Sequence, residues 1–281
     1  MARTVVVGVE GTDSSHDALI WAAHAAAARR DELEIVYAVG VPYSSMEVLY
    51  DDAVTQSAET LLDDEKKRAL DAEPDLTVRT TLSRTTPARA LTELSEEAAL
   101  VVVGSHPLGF MERVFAGSLS YQVVAGCHSP VLVVPEGTGA RGAGVVVGAD
   151  GSPDSVTAVA HAAEEADRLG SELTVVHAWL SPVTYLSVDV ISGSTDELVE
   201  ESERMMLAES IAGLGERYPD LTINRRLVHD NPAQALLEAA VGARLLVVGS
   251  RGLHGVTRML LGSVSHTVVM HAPCPVLVVR S

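Results

Sequence analysis

The sequence predicts an α/β protein made of two tandem domains, each a doubly wound parallel five-stranded sheet. Three features lead to this prediction. Short Val-rich runs alternate with longer helical stretches, and the runs are apolar enough to be strands buried on both faces. The pattern of the first half also recurs in the second. Alternating strands and helices imply right-handed crossovers, which place helices on both faces of a parallel sheet.

The repeat is visible as blocks that match in the same order in both halves. The matching pairs are Val5–Thr12 with Val145–Ser152, Pro87–Leu91 with Pro232–Leu236, Val102–Ser105 with Val247–Ser250, Gly117–Ser118 with Gly262–Ser263, and Pro130–Val134 with Pro275–Val279. Two copies of one domain are therefore predicted at 1–137 and 143–281. A short Gly-rich linker at 137–142 would join them.

The elements of each copy follow from the same pattern. In copy one, strands are predicted near 3–9, 33–39, 76–82, 99–103 and 130–134, and helices after Asp13-Ser14 and near 45–71, 87–98 and 118–126. In copy two, strands are predicted near 143–149, 172–178, 221–227, 244–248 and 275–279, and helices near 195–217, 232–242 and 263–271. Asp13 and Ser14 are favourable N-cap residues for the first helix. Ligands of such sheets bind beyond the carboxyl ends of the strands, where the strand order switches.

The last strand of each copy is short, apolar and uncharged. A free sheet edge of this kind would promote aggregation. Pairing of Val131–Val134 with Val276–Val279 across a pseudo-two-fold axis would protect both edges. The alternative is that a loop or a tail covers each edge.

The charge balance excludes several classes of function. Thirty-eight acidic against 20 basic residues give a net charge of −18, whereas nucleic-acid or anionic-membrane binding needs clustered Lys and Arg. The only lysines are Lys66 and Lys67, so no P-loop can be written. Two lone cysteines, no signal peptide and no apolar run of transmembrane length predict a cytoplasmic protein.

No motif marks a catalytic group or a metal centre. The ten histidines include no H-E-x-x-H pattern, and no nucleophile elbow or Ser-His-Asp order stands out. Neither a catalytic residue nor a metal site is therefore predicted. The acidic helices at 47–75 and 196–209 are interpreted as solvated faces, and Met205, Met206 and Leu207 as core.

One loop of copy two has the residues to hold an anion. Gly249 ends a buried strand, and Gly262-Ser263 opens the last helix. Glycines let backbone N–H groups approach an anion, and a helix start adds unpaired N–H groups and the positive end of its dipole. We therefore expect the main-chain amides flanking 249–263 to face outward. The alternative is that the glycines only turn the chain and that Ser263 is an ordinary N-cap.

A carboxylate follows the first strand of copy two, in Asp150-Gly151-Ser152. Because strands one and four of a parallel sheet can be neighbours, Asp150 is expected to face the same crevice as Gly249. There its carboxylate could accept hydrogen bonds from ribose hydroxyls or from a base amine. The alternative is that Asp150 caps the first helix of copy two.

These residues resemble the universal stress protein family. The resemblance is carried by Val146–Ser152, by the spacing Gly249-x2-Gly252-x9-Gly262-Ser263, and by Cys274–Val279. It covers nearly the whole chain and is similar to two-domain actinobacterial members, and the glycine spacing marks the family's ATP-binding branch. The resemblance implies an adenine nucleotide alpha-hydrolase-like fold with strand order 3-2-1-4-5 and pairing through strand five.

The resemblance also implies which residues of copy two hold the nucleotide. Adenine would lie near Asp150 and Ala178. The ribose and phosphates would be held by Gly249, Gly252, Gly262, Ser263 and Val264. Arg251, next to Gly252, is expected to contact a phosphate as well. Mg²⁺ would accompany the triphosphate, bound mostly through phosphates and water.

Copy one departs from this pattern at two positions. Glu10 replaces the aspartate, and Pro107, which has no N–H to donate, stands in place of Gly252. The candidate residues of copy one are Glu10, Ala38, Gly104, Gly117, Ser118 and Leu119. We expect copy two to bind the nucleotide more tightly, with copy one either a weaker site or purely structural.

Taken together, the sequence favours a cytoplasmic ATP-binding protein of the stress response that acts as a nucleotide-dependent regulator or sensor, with weak ATPase activity at most. One alternative is an ATP- or AMP-using enzyme, such as an adenylating hydrolase. Another is an interaction module without a ligand. Association with a second copy of the chain or with another protein stays open, whereas nucleic acid and membranes are not expected as partners.

Overall fold

Each half of the chain forms an α/β unit around its own parallel sheet, which confirms the predicted architecture. The computed structural model describes residues 3–40, 51–105, 119–138, 141–180, 194–253 and 261–281. Unit 1 is Met1–Arg141 and unit 2 is Gly142–Ser281. Within the described residues, every helix is too short or too polar to cross a membrane.

Five parallel strands form the sheet of unit 1 in the order β3-β2-β1-β4-β5, which is the predicted order 3-2-1-4-5. The strands are β1 Thr4–Gly8, β2 Glu32–Ala38, β3 Val78–Ser83, β4 Ala98–Ser105 and β5 Val131–Pro135. The helices that connect them are α1 Asp13–Arg29, α2 Asp51–Ala72, α3 Pro87–Leu94 and α4 Leu119–Gly126.

Unit 2 repeats this arrangement with the strand order β8-β7-β6-β9-β10. The strands are β6 Val145–Gly148, β7 Leu173–Trp179, β8 Ile223–His229, β9 Leu245–Gly249 and β10 Val276–Val279. The helices are α5 Pro153–Arg168, α6 Ser194–Ser210, α7 Leu214–Arg217, α8 Pro232–Ala239 and α9 Ser263–His271. The pairing expected between the fifth strands of the two copies stays a prediction.

The centre of each sheet is buried because helices cover both of its faces. In unit 1, Val5–Val7 of β1 and Val101–Val103 of β4 are at most 2% exposed. Helix α1 packs against these strands through Ala18, Ala22 and Ala26, which are fully buried. Small alanine side chains let the helix lie close to the sheet, so the strand ends and helix starts meet in tight corners. Those corners position the candidate site.

The first helix begins at Asp13, two residues earlier than predicted. Its N-cap is Thr12 and not Asp13 or Ser14. The Thr12 hydroxyl accepts a hydrogen bond from the Ser15 N–H, and the Ser15 hydroxyl lies 3.1 Å from the Thr12 N. This reciprocal capping box satisfies two backbone donors at once, which neither Asp13 nor Ser14 achieves inside the helix.

The helix predicted over 195–217 is interrupted. Helix α6 ends at Ser210, and a separate turn of helix, α7, begins at Leu214. Gly213 between them has a φ of 80°, a left-handed conformation that a continuing α-helix cannot contain. The acidic helix that reaches the candidate site is therefore shorter than the sequence pattern indicated.

The thiol of Cys274 should be chemically inert in the folded protein. Cys274 is 2% exposed, and desolvation raises its pKa to about 12. Only the thiolate reacts with alkylating agents, so iodoacetamide at about pH 9 should label Cys274 slowly in the native chain and rapidly in urea. Peptide mapping by mass spectrometry measures both rates. Equal labelling of native and unfolded chains at Cys274 would contradict the burial of this thiol.

Candidate functional site

A cavity of about 520 Å³ opens in unit 2 beyond the carboxyl ends of β6, β7 and β9. Strands β7 and β9 lie on the two sides of β6. The cavity is thus at the switch in strand order, where open parallel sheets bind ligands. Its volume falls within the range of roughly 300–1,000 Å³ that ligand pockets occupy.

All the residues predicted to hold a ligand in copy two line this one cavity. They come from the β6–α5 loop, the end of β7, the β9–α9 loop and the start of α9. The residues are Asp150, Ala178, Gly249, Arg251, Gly252, Gly262, Ser263 and Val264. The fold therefore brings together segments that are far apart in the sequence, and their contact with a nucleotide stays a prediction.

Unit 1 has a smaller cavity of about 200 Å³ at the equivalent place. The predicted residues of copy one that line it are Glu10, Ala38, Gly104 and Leu119. Gly117, Ser118 and Pro107 lie outside the described residues. Glu10 is exposed, and it accepts a hydrogen bond from the Thr12 hydroxyl at 3.1 Å.

Asp150 joins two loops at the rim of the unit 2 cavity. Its Oδ1 accepts a hydrogen bond from the Ser152 N–H at 3.0 Å, and its Oδ2 accepts one from the Leu253 N–H at 3.3 Å. The N-cap of α5 is Ser152, so the alternative in which Asp150 caps that helix is wrong. A carboxylate oxygen can accept more than one hydrogen bond, so Asp150 can still receive a hydroxyl or an amine.

Close packing explains two of the glycines of the β9–α9 loop. A Cβ at position 252 would lie 2.5 Å from Asp150 Oδ2, and a Cβ at position 249 would lie 2.9 Å from the Asp154 Cβ. Cβ atoms essentially never lie this close to other atoms, so a side chain at 252 would displace the Asp150 carboxylate, and one at 249 would press on the Asp154 backbone. Gly249 and Gly252 therefore let the loop approach Asp150 and the start of α5 at Asp154, a role that does not depend on a ligand.

Several backbone N–H groups of this loop point into the protein rather than into the cavity. They donate to protein acceptors at four positions: Ser250 to Val279 O at 2.7 Å, Arg251 to Asp154 Oδ2 at 3.0 Å, Leu253 to Asp150 Oδ2 at 3.3 Å, and Gly262 to Ser250 O at 2.8 Å. The expectation that the amides flanking 249–263 face outward is wrong for these four. Neighbouring carbonyls and carboxylates are the acceptors at all four positions, including that of the exposed Leu253.

Backbone N–H groups without an intrahelical acceptor lie at the start of α9, where they can donate hydrogen bonds to a ligand. Gly262 is the N-cap, and the first described bond of the helix runs from the His266 N–H to the Gly262 carbonyl. The amides of Ser263 and Val264 precede that bond, at the positive end of the helix dipole. Ser263 is an exposed first residue of the helix, so its interpretation as an ordinary N-cap is wrong.

A buried histidine that sequence analysis did not single out as a site residue forms part of the cavity wall. His177 Nδ1 lies 2.7 Å from Ala149 O, and Nε2 lies 2.6 Å from Glu203 Oε2. A carbonyl only accepts hydrogen bonds, so Nδ1 carries a proton, and the second contact requires another proton on Nε2 or on Glu203. The pair fixes α6 against β7 and shapes the cavity, because both residues line it.

Helix α6 contributes more to the cavity than the sequence suggested. Met206, interpreted as core, lines the cavity, and Met205 is 55% exposed, so only Leu207 of that group is buried in the core. Glu203 and Met206 are three residues apart and share one helix face. This three-residue spacing was the sequence feature that could have placed both residues in the cavity wall. A fully solvated acidic helix has the same spacing, so the feature did not distinguish the two cases. Trp179 completes this side and stacks on His229, with the ring centroids 4.3 Å apart.

Comparison with known proteins finds the same family in both halves. The profile of the Universal stress protein family matches residues 1–135 and 144–280. Universal stress protein Rv2005c of Mycobacterium tuberculosis is 38% identical over 291 residues, which covers 98% of this chain and 96% of that protein. A universal stress protein of Mycolicibacterium smegmatis is 35% identical over 290 residues, with 98% and 96% covered.

A solved structure supports the fold over the whole length. The universal stress protein from Archaeoglobus fulgidus DSM 4304 superposes with a TM-score of 0.69 and covers 99% of this chain and 98% of that one. Its sequence identity is 21%. Because the identity is this low, the similarity supports the fold of the two units and carries no information about their function.

Proposed function

Because this chain belongs to the universal stress protein family and contains two domains of it in tandem, we propose that it is a cytoplasmic ATP-binding regulator or sensor of the stress response. One observation carries the proposal. Four separate segments of unit 2 converge on a cavity of about 520 Å³ that ends at the start of α9. Nucleotide occupancy of that cavity would change the conformation of the protein or its choice of partner.

The phosphates would lie at the start of α9. The Ser263 and Val264 amides and the helix dipole favour an anion there, and the Ser263 hydroxyl is exposed to it. The Arg251 side chain is 46% exposed and lines the same cavity. These groups allow a triphosphate to bind without a P-loop lysine, and any Mg²⁺ would be held through the phosphates and water.

The nucleoside would occupy the other end of the cavity. Asp150 would accept a hydrogen bond from a ribose hydroxyl or the base amine, beside Ala178 at the end of β7. Trp179, Met206 and Leu236 provide apolar surface for the base. This division of polar and apolar lining is typical of nucleotide pockets.

We expect binding with at most slow hydrolysis. Among the described residues that line the cavity, Arg251 is the one cation besides histidine, and there is no lysine. Efficient phosphoryl transfer uses several cations and a positioned base. The cytoplasmic location is supported by the two cysteines, Cys127 and Cys274, which are both buried and do not form a C-x-x-C pair.

ATP should stabilise the chain against thermal unfolding, and the effect should come from unit 2. At a ligand concentration 100 times Kd, binding adds about 2.7 kcal/mol to the unfolding free energy. The melting temperature of the nucleotide-free protein is measured with ATP, ADP, AMP and cyclic AMP, with and without Mg²⁺, and the stoichiometry by calorimetry. We expect about one tightly bound ATP per chain.

A matched pair of variants assigns the site to one unit. Ala178 lines the unit 2 cavity, and Ala38 is its counterpart in unit 1. Ala178→Leu should abolish the ATP-induced shift, whereas Ala38→Leu should leave it unchanged. No shift with any of the four nucleotides would overturn the proposal in favour of a ligand-free module. Several ATP turnovers per second with a co-substrate would favour an enzyme instead.

A further inference from the structure

Asp154 is a buried carboxylate directly behind the β9–α9 loop. It lies in the first turn of α5 and is 5% exposed. Its Oδ2 accepts hydrogen bonds from the Ser250 hydroxyl at 2.7 Å and the Arg251 N–H at 3.0 Å. Its Oδ1 accepts one from the Ser281 hydroxyl at 2.6 Å. Asp154 therefore ties the loop, the start of α5 and Ser281 to a single group.

The Asp154 carboxylate carries its negative charge at neutral pH. Burial acts to raise its pKa, but the hydrogen bonds from Ser281 and Ser250 and the charge of Arg251 outweigh burial, so the pKa is lowered. A buried anion with its oxygens filled by donors is rigid, because any movement would leave a charge without partners. The Asp154 carboxylate is thus held in a fixed position beside the loop.

Arg251 contacts Asp154 through both its backbone and its side chain. Its backbone N–H bonds to Asp154 Oδ2, and its Nε lies 3.6 Å from the same oxygen. An Arg side chain has five N–H donors in a rigid fork. The contact between Nε and Asp154 restrains the guanidinium of a side chain that lines the cavity, and it leaves N–H donors available for a phosphate.

Unit 1 lacks this carboxylate. The glycine that packs on the first helix is Gly104 in unit 1, where its neighbour is Ser14, and Gly249 in unit 2, where its neighbour is Asp154. Ser14 therefore takes the place of Asp154, and its hydroxyl lies 3.2 Å from the Thr12 hydroxyl. A neutral hydroxyl cannot hold a guanidinium by charge, so any anchoring of this kind is confined to unit 2.

We propose that Asp154 is a positioning residue of the unit 2 site that holds Arg251 where it contacts the phosphates, and so makes the site favour ATP over adenosine. The inference rests on the proposed ATP site and adds a specific element to it. Asp154 acts through Arg251 and does not itself touch the nucleotide. Removing the Asp154 charge should therefore weaken the binding of ATP, which has three phosphates, and should change the binding of adenosine, which has none, much less.

The test compares Kd for ATP and for adenosine in the full-length protein, in Asp154→Asn, in Arg251→Gln and in the double variant. Asp154→Asn keeps the shape of the side chain and removes its charge. We expect each single change to weaken ATP binding by about tenfold or more and adenosine binding by less than about twofold. The double variant should bind ATP no more weakly than Arg251→Gln alone, because the two residues act as one unit.

A surface arginine provides the control for general charge effects. Arg204 on α6 is 62% exposed and pairs with Glu200, so Arg204→Gln removes one positive charge away from the cavity lining. It should leave both dissociation constants unchanged. If Asp154→Asn fails to fold, Asp154→Ser replaces it, since unit 1 folds with serine at this place.

The outcomes separate this inference from the proposed function. One outcome is that the wild type binds ATP and that Asp154→Asn loses affinity equally for ATP and adenosine. This result would overturn the positioning role and leave the ATP site intact. Additive losses in the double variant would overturn it as well. NMR relaxation of the Arg251 Nε–H without nucleotide should show a more mobile side chain in Asp154→Asn than in the wild type. A wild type that binds neither ligand overturns the proposed function itself.

Discussion

Replacing Gly252 by proline should weaken ATP binding to unit 2 by on the order of 10- to 100-fold. Proline removes the Gly252 N–H and adds a Cβ, which would lie 2.5 Å from Asp150 Oδ2. Asp150 must then rotate and give up its bond to the Leu253 N–H. The loss of one hydrogen bond to a charged group costs about 1.5–3 kcal/mol, which corresponds to this change in Kd.

Gly252→Ala separates the two causes, because alanine adds the Cβ but keeps the N–H. Equal losses in Gly252→Ala and Gly252→Pro would assign the effect to the contact with Asp150, and a loss confined to proline would assign it to the N–H. Gly215→Ala is the control, since a Cβ there meets nothing within 4 Å. Unchanged ATP affinity in Gly252→Pro would show that the loop does not contribute to binding as described.

Gly104→Ala should destabilise unit 1 strongly. An ideal Cβ at this position would lie 2.4 Å from Ser14 O and 3.0 Å from Ser15 N, both backbone atoms of α1. Backbone cannot rotate away as a side chain can, so α1 would have to move off β4. Overpacking of this kind costs about 1–3 kcal/mol and sometimes more. A Cβ at position 249 would lie 2.9 Å from Asp154, a longer distance than at position 104, so Gly249→Ala should destabilise unit 2 less than Gly104→Ala destabilises unit 1.

Urea unfolding followed by fluorescence measures these effects one unit at a time. The chain has two tryptophans, Trp21 on α1 of unit 1 and Trp179 on β7 of unit 2. Trp179→Phe leaves Trp21 as the reporter of unit 1, and Trp21→Phe leaves Trp179 as the reporter of unit 2. Gly104→Ala should lower the midpoint reported by Trp21. A midpoint equal to that of Gly215→Ala would contradict the close approach of α1 to β4.

The fold was predictable because its signals are local and repeated. Val-rich strands buried on both faces differ clearly from the Ala-rich and acidic helices between them, and every strand was expected near its observed position. The errors lie at helix ends. Thr12 outcompetes Asp13 and Ser14 as a cap through a reciprocal bond with Ser15, and Gly213 interrupts a helix whose polar pattern continues through it.

The sequence predicted part of the cavity lining but missed His177 and Glu203, and it did not predict the direction of the backbone amides. Asp150, Gly249 and Ser263 do line one cavity, as strand order requires. The direction of the amides could not be read from spacing, because it depends on acceptors supplied by distant residues. Val279, for example, accepts the Ser250 N–H from the end of another strand.

By itself, the sequence determined that this protein is a tandem repeat of a parallel α/β unit and that unit 2 matches the predicted glycine and aspartate pattern more completely than unit 1. Periodicity and glycine spacing encode those properties within short stretches of chain. Only the tertiary structure decided that Asp154 anchors Arg251 and that His177 pairs with Glu203. Each of those contacts joins side chains that are many residues apart, and their energy depends on burial and distance, which exist only after the chain has folded.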